Sequence, residues 1–509
     1  MGPIRERRAE LLFLAGISAL LVLHALSFRY TVDDAFISFR YAENWAEGKG
    51  LVFNPGERVE GYTNFLWTVL LAAALRGGAE PVLFSRIAGI VSGLLILWVS
   101  FFYARTKLAN RSAAVLLPVA IAANGAFALW CGAGLETVLF GLLLFAGVAA
   151  ASSAESSRAF ARASLFLALA SLTRPEGVLV YAVVLFDQLA LRRTGVKRAL
   201  PGALVFLVLV GGHEAWRIAY YGEALPNTFR AKTGGGLHAL RRGAFYLARY
   251  LGPFGGWTVL APLPLLFLGG IRRWERTFLL VLIVYLASIV AVGGDSLPFY
   301  RFLVPAVPLF ALLAVSGLGR LLGDPSERGG VRLAAFAVLL AVPLLNTFGG
   351  EALRFLAEDR DRVELHWKPI GKWLGEHASE GSSAAVTTAG AIPYYAKLPT
   401  IDMLGINDRA IASRRMPEMG RGIAGHEKHD MKYVLSRRPT YILHYPFLIP
   451  EPVFWSGQFR TPWNRGLEEL LENEAFDREY RGESAEILAP GAKRSLHLVY
   501  FKRKEDASD

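Results

Sequence analysis

The run Leu11-Leu-Phe-Leu-Ala-Gly-Ile-Ser-Ala-Leu-Leu-Val-Leu-His-Ala-Leu-Ser-Phe28 places eighteen mostly apolar residues in succession, without Asp, Glu, Lys or Arg. A transmembrane helix needs roughly 20 such residues. A second apolar run extends from Phe278 to Val292. Of the 509 residues, 53% are hydrophobic and 19% are charged, whereas a soluble chain carries about 25% charged residues. The sequence therefore predicts a polytopic α-helical membrane protein and excludes an ordinary soluble globular chain.

Short basic clusters between the apolar runs orient the chain, because cytoplasmic loops are enriched in Lys and Arg. Arg5, Arg7 and Arg8 precede the first run, and no small-residue cleavage site follows it. We therefore predict a first transmembrane helix with a cytoplasmic N-terminus rather than a cleaved signal peptide. We attribute the net charge of +12 to basic loops that orient the chain and face the membrane surface, not to binding of nucleic acid. Further clusters predict cytoplasmic turns near 105–111, 158–162, 192–198, 272–276 and 320–332.

Because these clusters are cytoplasmic, the apolar runs between two of them must cross the membrane an even number of times. Counted from the cytoplasmic N-terminus, this predicts about eleven transmembrane helices and a C-terminal tail outside the membrane. Segment 63–75 is too short to cross and is assigned to the outer interface. Two short runs flank Arg174 to Gly177 and predict a broken helical hairpin that faces a cavity. The predicted spans are 11–28, 83–103, 112–130, 134–150, 163–173, 177–190, 200–221, 245–268, 277–293, 302–321 and 332–349.

This topology predicts two domains. Residues 1–349 form a transmembrane catalytic domain whose outer loops are 29–62 and 222–243, and residues 350–509 form an extracytoplasmic α/β domain. In the tail, charges return and apolar runs shorten to strand length. A single cysteine, Cys131, excludes an intramolecular disulfide and a Cys-based zinc site. Predicted strands are 383–388, 400–403, 440–445 and 496–501, with helices at 363–378 and 429–437.

The first outer loop carries two adjacent carboxylates, Asp33 and Asp34, directly after the first span. Ile37, Tyr41 and Trp45 recur at helical spacing, so residues 35–47 are predicted to form a helix with one apolar face. Asp34 could serve only as the N-cap of that helix. A cap does not account for Asp33, because neighbouring carboxylates near a membrane are costly unless they meet a cation or a substrate. Spacing alone leaves both interpretations open.

Several motifs resemble one family. They are Asp33-Asp-Ala-Phe-Ile-Ser-Phe-Arg-Tyr-Ala42, Gly50-Leu-Val-Phe-Asn-Pro-Gly-Glu-Arg-Val-Glu-Gly-Tyr-Thr-Asn-Phe-Leu-Trp67, Trp130-Cys-Gly-Ala-Gly-Leu-Glu136, Leu172-Thr-Arg-Pro-Glu-Gly177, Tyr221-Gly-Glu-Ala-Leu-Pro-Asn-Thr-Phe-Arg-Ala-Lys232, Gly293-Gly-Asp-Ser-Leu-Pro-Phe-Tyr-Arg301 and Ala389-Gly-Ala-Ile-Pro-Tyr-Tyr395. The chain resembles the terminal arabinofuranosyltransferases of mycobacterial cell-wall synthesis and their bacterial relatives, some linked to flagellar motor control. All resemble the GT-C superfamily of polytopic glycosyltransferases.

The resemblance implies transfer of a sugar from a polyprenyl phosphate to a cell-envelope glycan or lipid-linked acceptor at the outer face of the cytoplasmic membrane. A pentofuranose such as arabinofuranose is what the named relatives imply. The superfamily uses an acidic residue of the first outer loop, which makes Asp33 and Asp34 the catalytic candidates. One would act as base or orient the acceptor, while the other holds its partner or a divalent cation, which prefers carboxylate oxygens. The sequence does not divide these roles.

Outward-facing cations are the candidates for binding the donor phosphate, since Arg and Lys pair well with phosphate oxygens. These are Arg174, Arg230, Lys232 and Arg301. Contact with lipid headgroups, or pairing of Arg174 with Glu176 and of Arg301 with Asp295, are the alternatives. Candidates for the sugar or acceptor are Arg40, Glu60, Tyr62, Asn64, Glu136, Asn227 and Asp295, where turn, cap and helix-dipole roles compete.

Three other functions were weighed. A transporter or flippase for a lipid-linked saccharide should show inverted repeats, and none is evident. A non-catalytic factor in envelope or flagellar assembly would not need the acidic pair. An O-antigen polymerase or ligase would carry its main catalytic loop later in the chain. The sequence therefore favours a glycosyltransferase.

Overall fold

The computed structural model of the chain describes residues 3–108, 114–250, 270–321, 350–454, 466–491 and 494–504. Up to residue 321 the described elements are helical. The α-helices are α1 Pro3–Phe28, α2 Asp33–Ala46, α3 Phe65–Arg76, α4 Pro81–Lys107, α5 Leu116–Ala123, α6 Gly125–Gly132, α7 Thr137–Ser152, α8 Ser157–Thr173, α9 Glu176–Phe186, α10 Val196–Phe206, α11 Gly212–Tyr221, α12 Asn227–Lys232, α13 Gly236–Tyr250, α14 Arg273–Val292 and α15 Val307–Leu321.

Five helices in the described ranges are long and apolar enough to cross a membrane. They are Arg8–Phe28, Pro81–Lys107, Val196–Tyr221, Arg273–Val292 and Pro298–Arg320. A sixth is present if α6 and α7, whose axes meet at 115°, count as one broken span. The predicted span 332–349 lies outside the described residues, as does most of 245–268. The count of eleven therefore stays a prediction.

The helical structure is interrupted at two places, one within the predicted span 112–130 and one between α8 and α9. The run 112–130 is not one helix, because the Asn124 side chain accepts the N–H of Phe127 at 2.9 Å and thereby starts α6. Between α8 and α9 the chain turns at Arg174 and Pro175. Proline has no N–H to continue the first helix. The chain thus breaks where the hairpin was predicted. The short apolar run after residue 63 forms α3.

Helix α2 begins earlier than predicted. Val32 occupies the N-cap position, and no side chain caps the helix. Asp33 and Asp34 are both in the first turn, where negative charge is favoured by the helix dipole. The interpretation of Asp34 as an N-cap was therefore wrong. The helix ends before Gly48, whose φ of +79° suits glycine.

The tail contains a five-stranded sheet in the order β2-β1-β3-β5-β4. Strand β1 is parallel to β2 and β3, whereas β5 is antiparallel to β3 and β4. The sequence missed β4. The strands are β1 Ala384–Val386, β2 Thr400–Asp402, β3 Tyr441–Leu443, β4 Tyr480–Ile487 and β5 Leu496–Arg503; the tail helices are α16 Gly350–Asp361, α17 Lys368–His377, α18 Ala391–Ala396, α19 Arg409–Ser413, α20 Met431–Ser436, α21 Leu467–Leu471 and α22 Glu474–Glu479.

The two faces of this sheet pack into different cores, because successive strand residues point to opposite sides. Ala385 and Ile442 belong to a small cluster formed by the tail alone. Val386 and Leu443 belong to the large cluster that also contains Trp67 and many residues of the helical part. The sheet is thus packed directly against the helical part. Its location outside the membrane and the division into two domains stay predictions.

Candidate active site

The first residue of α2 is held by the tail. Asp33 Oδ1 accepts the N–H of Ala391 at 2.7 Å, and Asp33 Oδ2 accepts that of Gly390 at 3.1 Å. A Cβ at Gly390 would lie 2.1 Å from the backbone oxygen of Asp33 and 2.5 Å from its Cγ. Only glycine therefore allows this approach. Both carboxylate oxygens of Asp33 are engaged by the tail backbone.

The environment of Asp33 favours its protonated form. The pKa of this carboxyl is raised to about 7, chiefly by burial and also by the neighbouring charges of Asp34 and Asp359. The N–H groups of Ala391 and Gly390 act in the opposite direction, because they bind the ionised form. Asp33 therefore changes charge near neutral pH.

The neighbouring carboxylate is the accessible one. The side chain of Asp34 is 34% exposed, and its Oδ2 lies 3.8 Å from Arg301 Nη1. Arg301 is buried and is held by Asp295, whose two oxygens accept from Nε at 2.7 Å and Nη2 at 3.2 Å. The aromatic rings of Trp130 and Phe302 also face its guanidinium. Asp34 thus faces both solvent and a fixed cation.

Asp295 was a candidate for sugar binding, but both of its oxygens are occupied. Besides Arg301, the N–H of Ser296 donates to Asp295 Oδ1 at 3.0 Å. Its structural role is to orient the guanidinium that faces Asp34. For Arg301, only Nη1 remains directed at Asp34, so donor-phosphate binding by this residue stays a prediction.

Arg174 is surrounded by carboxylates rather than by open space. Its Nη1 donates to Glu136 at 2.9 Å and its Nη2 to Glu176 at 2.8 Å. Asn64 donates to the other oxygen of Glu136 at 2.7 Å, and Ser38 is hydrogen-bonded to Asn64. Arg174, Glu136 and Asn64 thus form a buried charge network, and the pair of Arg174 with Glu176, one of the alternatives from the sequence, is present. The roles of these three residues in binding phosphate or sugar stay predictions.

Two further predicted residues serve the packing of the first loop. Arg40 is buried, and it donates to the carbonyls of Phe53, Pro393 and Leu398 at 2.6–2.7 Å. Burial lowers its pKa to about 10. Tyr62 is buried, with its hydroxyl 3.1 Å from that of Tyr221. The polar groups of Arg40 and Tyr62 are thus bound within the protein, and their direct contact with a sugar stays a prediction.

The middle loop separates its two predicted cations. Arg230 pairs with Glu223 and lines a cleft with Glu60 and Asn227, and its predicted role in binding the donor phosphate stays a prediction. The stem of Lys232 packs against Gly425, with Cε 3.2 Å from where a Cβ would lie. In the described ranges the Lys232 ammonium forms no ion pair. Lys232 therefore remains a candidate for the donor phosphate.

The tail brings a histidine close to this lysine and to Asp34. His426 is partly buried, and its pKa is lowered chiefly by desolvation and also by the charge of Lys232, while the charge of Asp34 acts in the opposite direction. Its Nδ1 lies 3.2 Å from the carbonyl oxygen of Ala424. His426 is thus within electrostatic reach of Lys232 and Asp34.

Three other residues near the site were missed. Tyr30 donates to Asp359, and burial raises the pKa of this third carboxyl beside the acidic pair. Arg242 donates to the carbonyl of Gly293 and to Glu427, both at 3.0 Å. It thus ties the turn before Asp295 to the tail. No local sequence pattern predicts these contacts, because they join distant parts of the chain.

A divalent cation was one of the roles considered for the acidic pair. In the ranges that the structure describes, no three His, Cys, Asp or Glu side chains are arranged to hold a metal ion. Both oxygens of Asp33 already accept N–H groups. The residues present do not fit a protein-bound metal, and no step is derived through one.

Comparisons with known proteins agree with this arrangement. The chain is 31% identical over 271 residues to the terminal beta-(1->2)-arabinofuranosyltransferase of Mycobacterium tuberculosis, covering 48% of this chain and 42% of that protein. The protein of the same name from Corynebacterium glutamicum is 28% identical over 342 residues, covering 56% and 47%. The chain thus spans less than half the length of these relatives. A model described as "Domain of unknown function (DUF8728)" matches residues 354–489.

Solved structures decide the fold. ArnT from Cupriavidus metallidurans in the apo state aligns with a TM-score of 0.60 at 14% identity, covering 96% of this chain and 97% of ArnT. ArnT bound to undecaprenyl phosphate gives a TM-score of 0.54 at 16% identity, covering 77% and 85%. The chain therefore has the fold of ArnT, and its five or six candidate spans agree with the predicted polytopic helical class. The resemblance to the terminal arabinofuranosyltransferases is confirmed by the two named relatives.

Proposed function

We propose that this chain is a glycosyltransferase that transfers a sugar from a polyprenyl phosphate to a hydroxyl of a cell-envelope glycan or lipid-linked acceptor. The observation that carries the proposal is the unequal environment of the acidic pair, in which Asp33 is fixed and Asp34 is open beside Arg301. The named relatives support the reaction class, and ArnT with undecaprenyl phosphate supports the donor class. A pentofuranose such as arabinofuranose is the sugar we propose.

In the proposed reaction, Asp34 removes the proton from the acceptor hydroxyl. The acceptor oxygen bonds to the anomeric carbon as the bond from that carbon to the donor phosphate oxygen breaks. Polyprenyl phosphate leaves with the electron pair, and the proton remains on Asp34. A phosphate is a good leaving group, so the protein must chiefly orient the acceptor and stabilise the departing charge.

We assign the stabilisation of the departing phosphate to Lys232, with Arg301 Nη1 as a second contact. Lys232 and Asp34 both act on the pKa of His426, which supports a grouping of the proposed base and the proposed phosphate ligand near this tail residue. Asp33 is a positioning residue, because its oxygens are bound by the N–H groups of Gly390 and Ala391. It fixes the first turn of α2, and thereby Asp34.

The proposal is tested by incubating the purified full chain in detergent with a panel of synthetic polyprenyl-phosphate sugars, including the arabinofuranosyl donor. Donor consumption is followed with and without acceptor. Consumption of one donor, lost in Asp34→Asn, is the expected result. If no donor is consumed or bound, the proposal is wrong, and transport or assembly roles must be considered.

The pH dependence of transfer is expected to report Asp33. The ionised carboxylate accepts two N–H groups, whereas a protonated carboxyl cannot accept both equally well. Because the pKa of Asp33 is about 7, kcat/KM should fall about tenfold per pH unit below that value. This acidic fall in kcat/KM is measured in the wild-type chain and in Asp33→Asn, whose side chain cannot ionise. If Asp33→Asn shows the same acidic fall, the assignment to Asp33 is contradicted. Glu43→Gln, on the same helix, serves as control.

Replacement of Lys232 by Met is expected to raise the KM for the donor roughly tenfold to a hundredfold. The side chain keeps its packing against Gly425 but loses a charge-assisted hydrogen bond, which contributes about 1.5–3 kcal/mol. Initial rates over a range of donor concentrations provide the measurement. The matched control is Lys372→Met, which removes an exposed lysine of the tail. An equal change in both variants would rule out a specific contact with the donor.

A further inference from the structure

The turn that carries Arg301 has positive φ angles at four positions. Gly293 and Gly294 begin it with φ of +85° and +75°, which glycine adopts without steric cost. At its end, Phe299 has φ 55° and ψ 34°, and Tyr300 has φ 51° and ψ 52°. Both aromatic residues are therefore in the left-handed α region, where a Cβ comes too close to the following carbonyl oxygen. The backbone of this pair is strained.

Two adjacent bulky residues in this region are uncommon, because glycine, asparagine and aspartate are the residues that visit it routinely. The other non-glycine residues with positive φ in the described ranges are isolated: Arg29, Arg193, Lys397 and Arg438. Strained backbone persists where the surrounding structure holds it, and it is concentrated at functional sites. The pair must therefore be held by its neighbours.

Aromatic packing holds the pair. The ring of Tyr300 lies 5.2 Å from that of Tyr246 and 5.5 Å from that of Tyr250, both on α13. The ring of Phe299 meets that of Phe28 on α1 edge-on at 6.0 Å, and Phe299 is buried. Both strained residues thus depend on their rings, because the packing offsets the cost of the backbone conformation.

Helix α13 also holds the beginning of the turn. A Cβ at Gly294 would lie 2.7 Å from Tyr246 Cβ, and Arg242 donates to the carbonyl of Gly293 at 3.0 Å. Tyr246 contacts both ends of the turn, since its ring also packs against Tyr300. One helix of the middle loop therefore fixes both ends of the turn.

The strained pair decides where Arg301 points. After Tyr300 the backbone returns to right-handed helical angles, and the guanidinium of Arg301 reaches back to Asp295 at 2.7 and 3.2 Å. Its Nη1 lies 3.8 Å from Asp34 Oδ2. If the pair took ordinary helical angles, the chain would change direction immediately before Arg301. The guanidinium would then leave both carboxylates.

We propose that Phe299 and Tyr300 are positioning residues, whose left-handed backbone aims Arg301 at Asp34 and at the departing phosphate. The inference rests on the proposed transfer reaction and adds the element that holds its second cation. In the wild-type chain, the packing of the two rings outweighs the strain. Alanine at position 300 keeps the strain without the packing, so the turn relaxes. Glycine removes both, so the turn is kept.

The test compares Tyr300→Ala with Tyr300→Gly, which lose the same ring and differ only in the Cβ. Labelling of Arg301 by phenylglyoxal, an arginine-specific reagent, is followed by mass spectrometry in the purified full chain. Slow labelling is expected in the wild-type chain, because Arg301 is 6% exposed. Labelling should be about fivefold to thirtyfold faster in the alanine variant than in the glycine variant, from the preference of glycine for this region. Donor kcat/KM should be lower in the alanine variant by a similar factor.

The matched control is Leu286→Ala with Leu286→Gly, within the right-handed helix α14. There the glycine variant should have the lower unfolding temperature, because glycine is less favourable than alanine in a helix interior. If Tyr300→Ala does not fold, Tyr300→Leu replaces it, since leucine keeps the Cβ and restores apolar bulk.

A double-mutant cycle separates positioning from a general structural role. In an Arg301→Gln background, Tyr300→Ala should change kcat/KM by no more than about twofold, because the pair acts through the missing guanidinium. An equal loss in both backgrounds would overturn the inference.

The labelling result does not depend on the proposed function, because it needs no donor. Equal labelling of Arg301 in Tyr300→Ala and Tyr300→Gly, or faster labelling in the glycine variant, would overturn the inference whatever the activity. A wild-type chain that consumes no donor would refute the proposed function alone. The labelling rates would then still decide whether the strained pair holds Arg301.

Discussion

Replacement of Asp34 by Asn is expected to reduce sugar transfer by about 10²–10⁴-fold, the usual contribution of a positioned general base. The amide has nearly the same shape as the carboxylate, but it cannot take the proton of the acceptor hydroxyl. Because the side chain is 34% exposed and its ion contact with Arg301 is long, at 3.8 Å, folding should be preserved. Transfer rates with the donor identified in the panel provide the measurement, and thermal unfolding checks the fold.

The matched control is Glu43→Gln on the same helix, since Glu43 pairs with Lys397 away from the acidic pair. Its transfer rate should remain near that of the wild-type chain. Asp33→Asn is also expected to reduce transfer by orders of magnitude, but through loss of positioning. Full activity in Asp34→Asn would exclude this residue as the base, and full activity in both variants would remove the acidic pair from catalysis.

Replacement of Gly390 by Ala is expected to reduce transfer by about 10²-fold, the effect of misplacing a reacting group by about 1 Å. The new methyl group would lie 2.1 Å from the backbone oxygen of Asp33. Either Asp33 or the tail must move. The φ of Gly390 is negative, at −95°, so we attribute the expected effect chiefly to the contact of the new methyl group with Asp33. Transfer rate and unfolding temperature are measured together.

A destabilisation of about 1–3 kcal/mol is expected from such overpacking. Gly212→Ala serves as control, because a Cβ at Gly212 meets no atom within 4 Å. If Gly390→Ala transfers sugar at the rate of the control, then the contact between Asp33 and the tail does not position the catalytic group. A variant that unfolds would be replaced by Ala391→Pro, which removes one of the two N–H donors to Asp33.

These two variants distinguish the roles of neighbouring acids that the sequence treats alike. The structure makes the tail part of the site, since it supplies the N–H groups of Gly390 and Ala391 and the partly buried ring of His426. Arg40 and Arg242 attach the tail to both outer loops through backbone carbonyls. In the proposed reaction, the tail therefore acts on catalysis directly by positioning Asp33, and its role is not limited to binding an acceptor.

The sequence could predict elements whose cause is local. The apolar run from Leu11 to Phe28 requires a membrane, because a helix of that length and composition is stable there. Pro175 has no N–H to continue the hydrogen bonds of α8, and the predicted break between α8 and α9 followed from it. Strand β4 was missed because it includes Gly482 and two glutamates, residue types that are uncommon in strands.

The sequence by itself determined the membrane class, the family resemblance and the position of the candidate acidic pair in the first loop. Only the tertiary structure decided which acid is accessible. Asp33 receives its N–H donors from residues 357 and 358 positions later, and every residue type has a backbone N–H except proline. Side-chain identity therefore carries no sign of that contact. The contact of Arg174 with Glu136, which lies 38 positions earlier, was likewise not predicted, whereas its pair with the nearby Glu176 was.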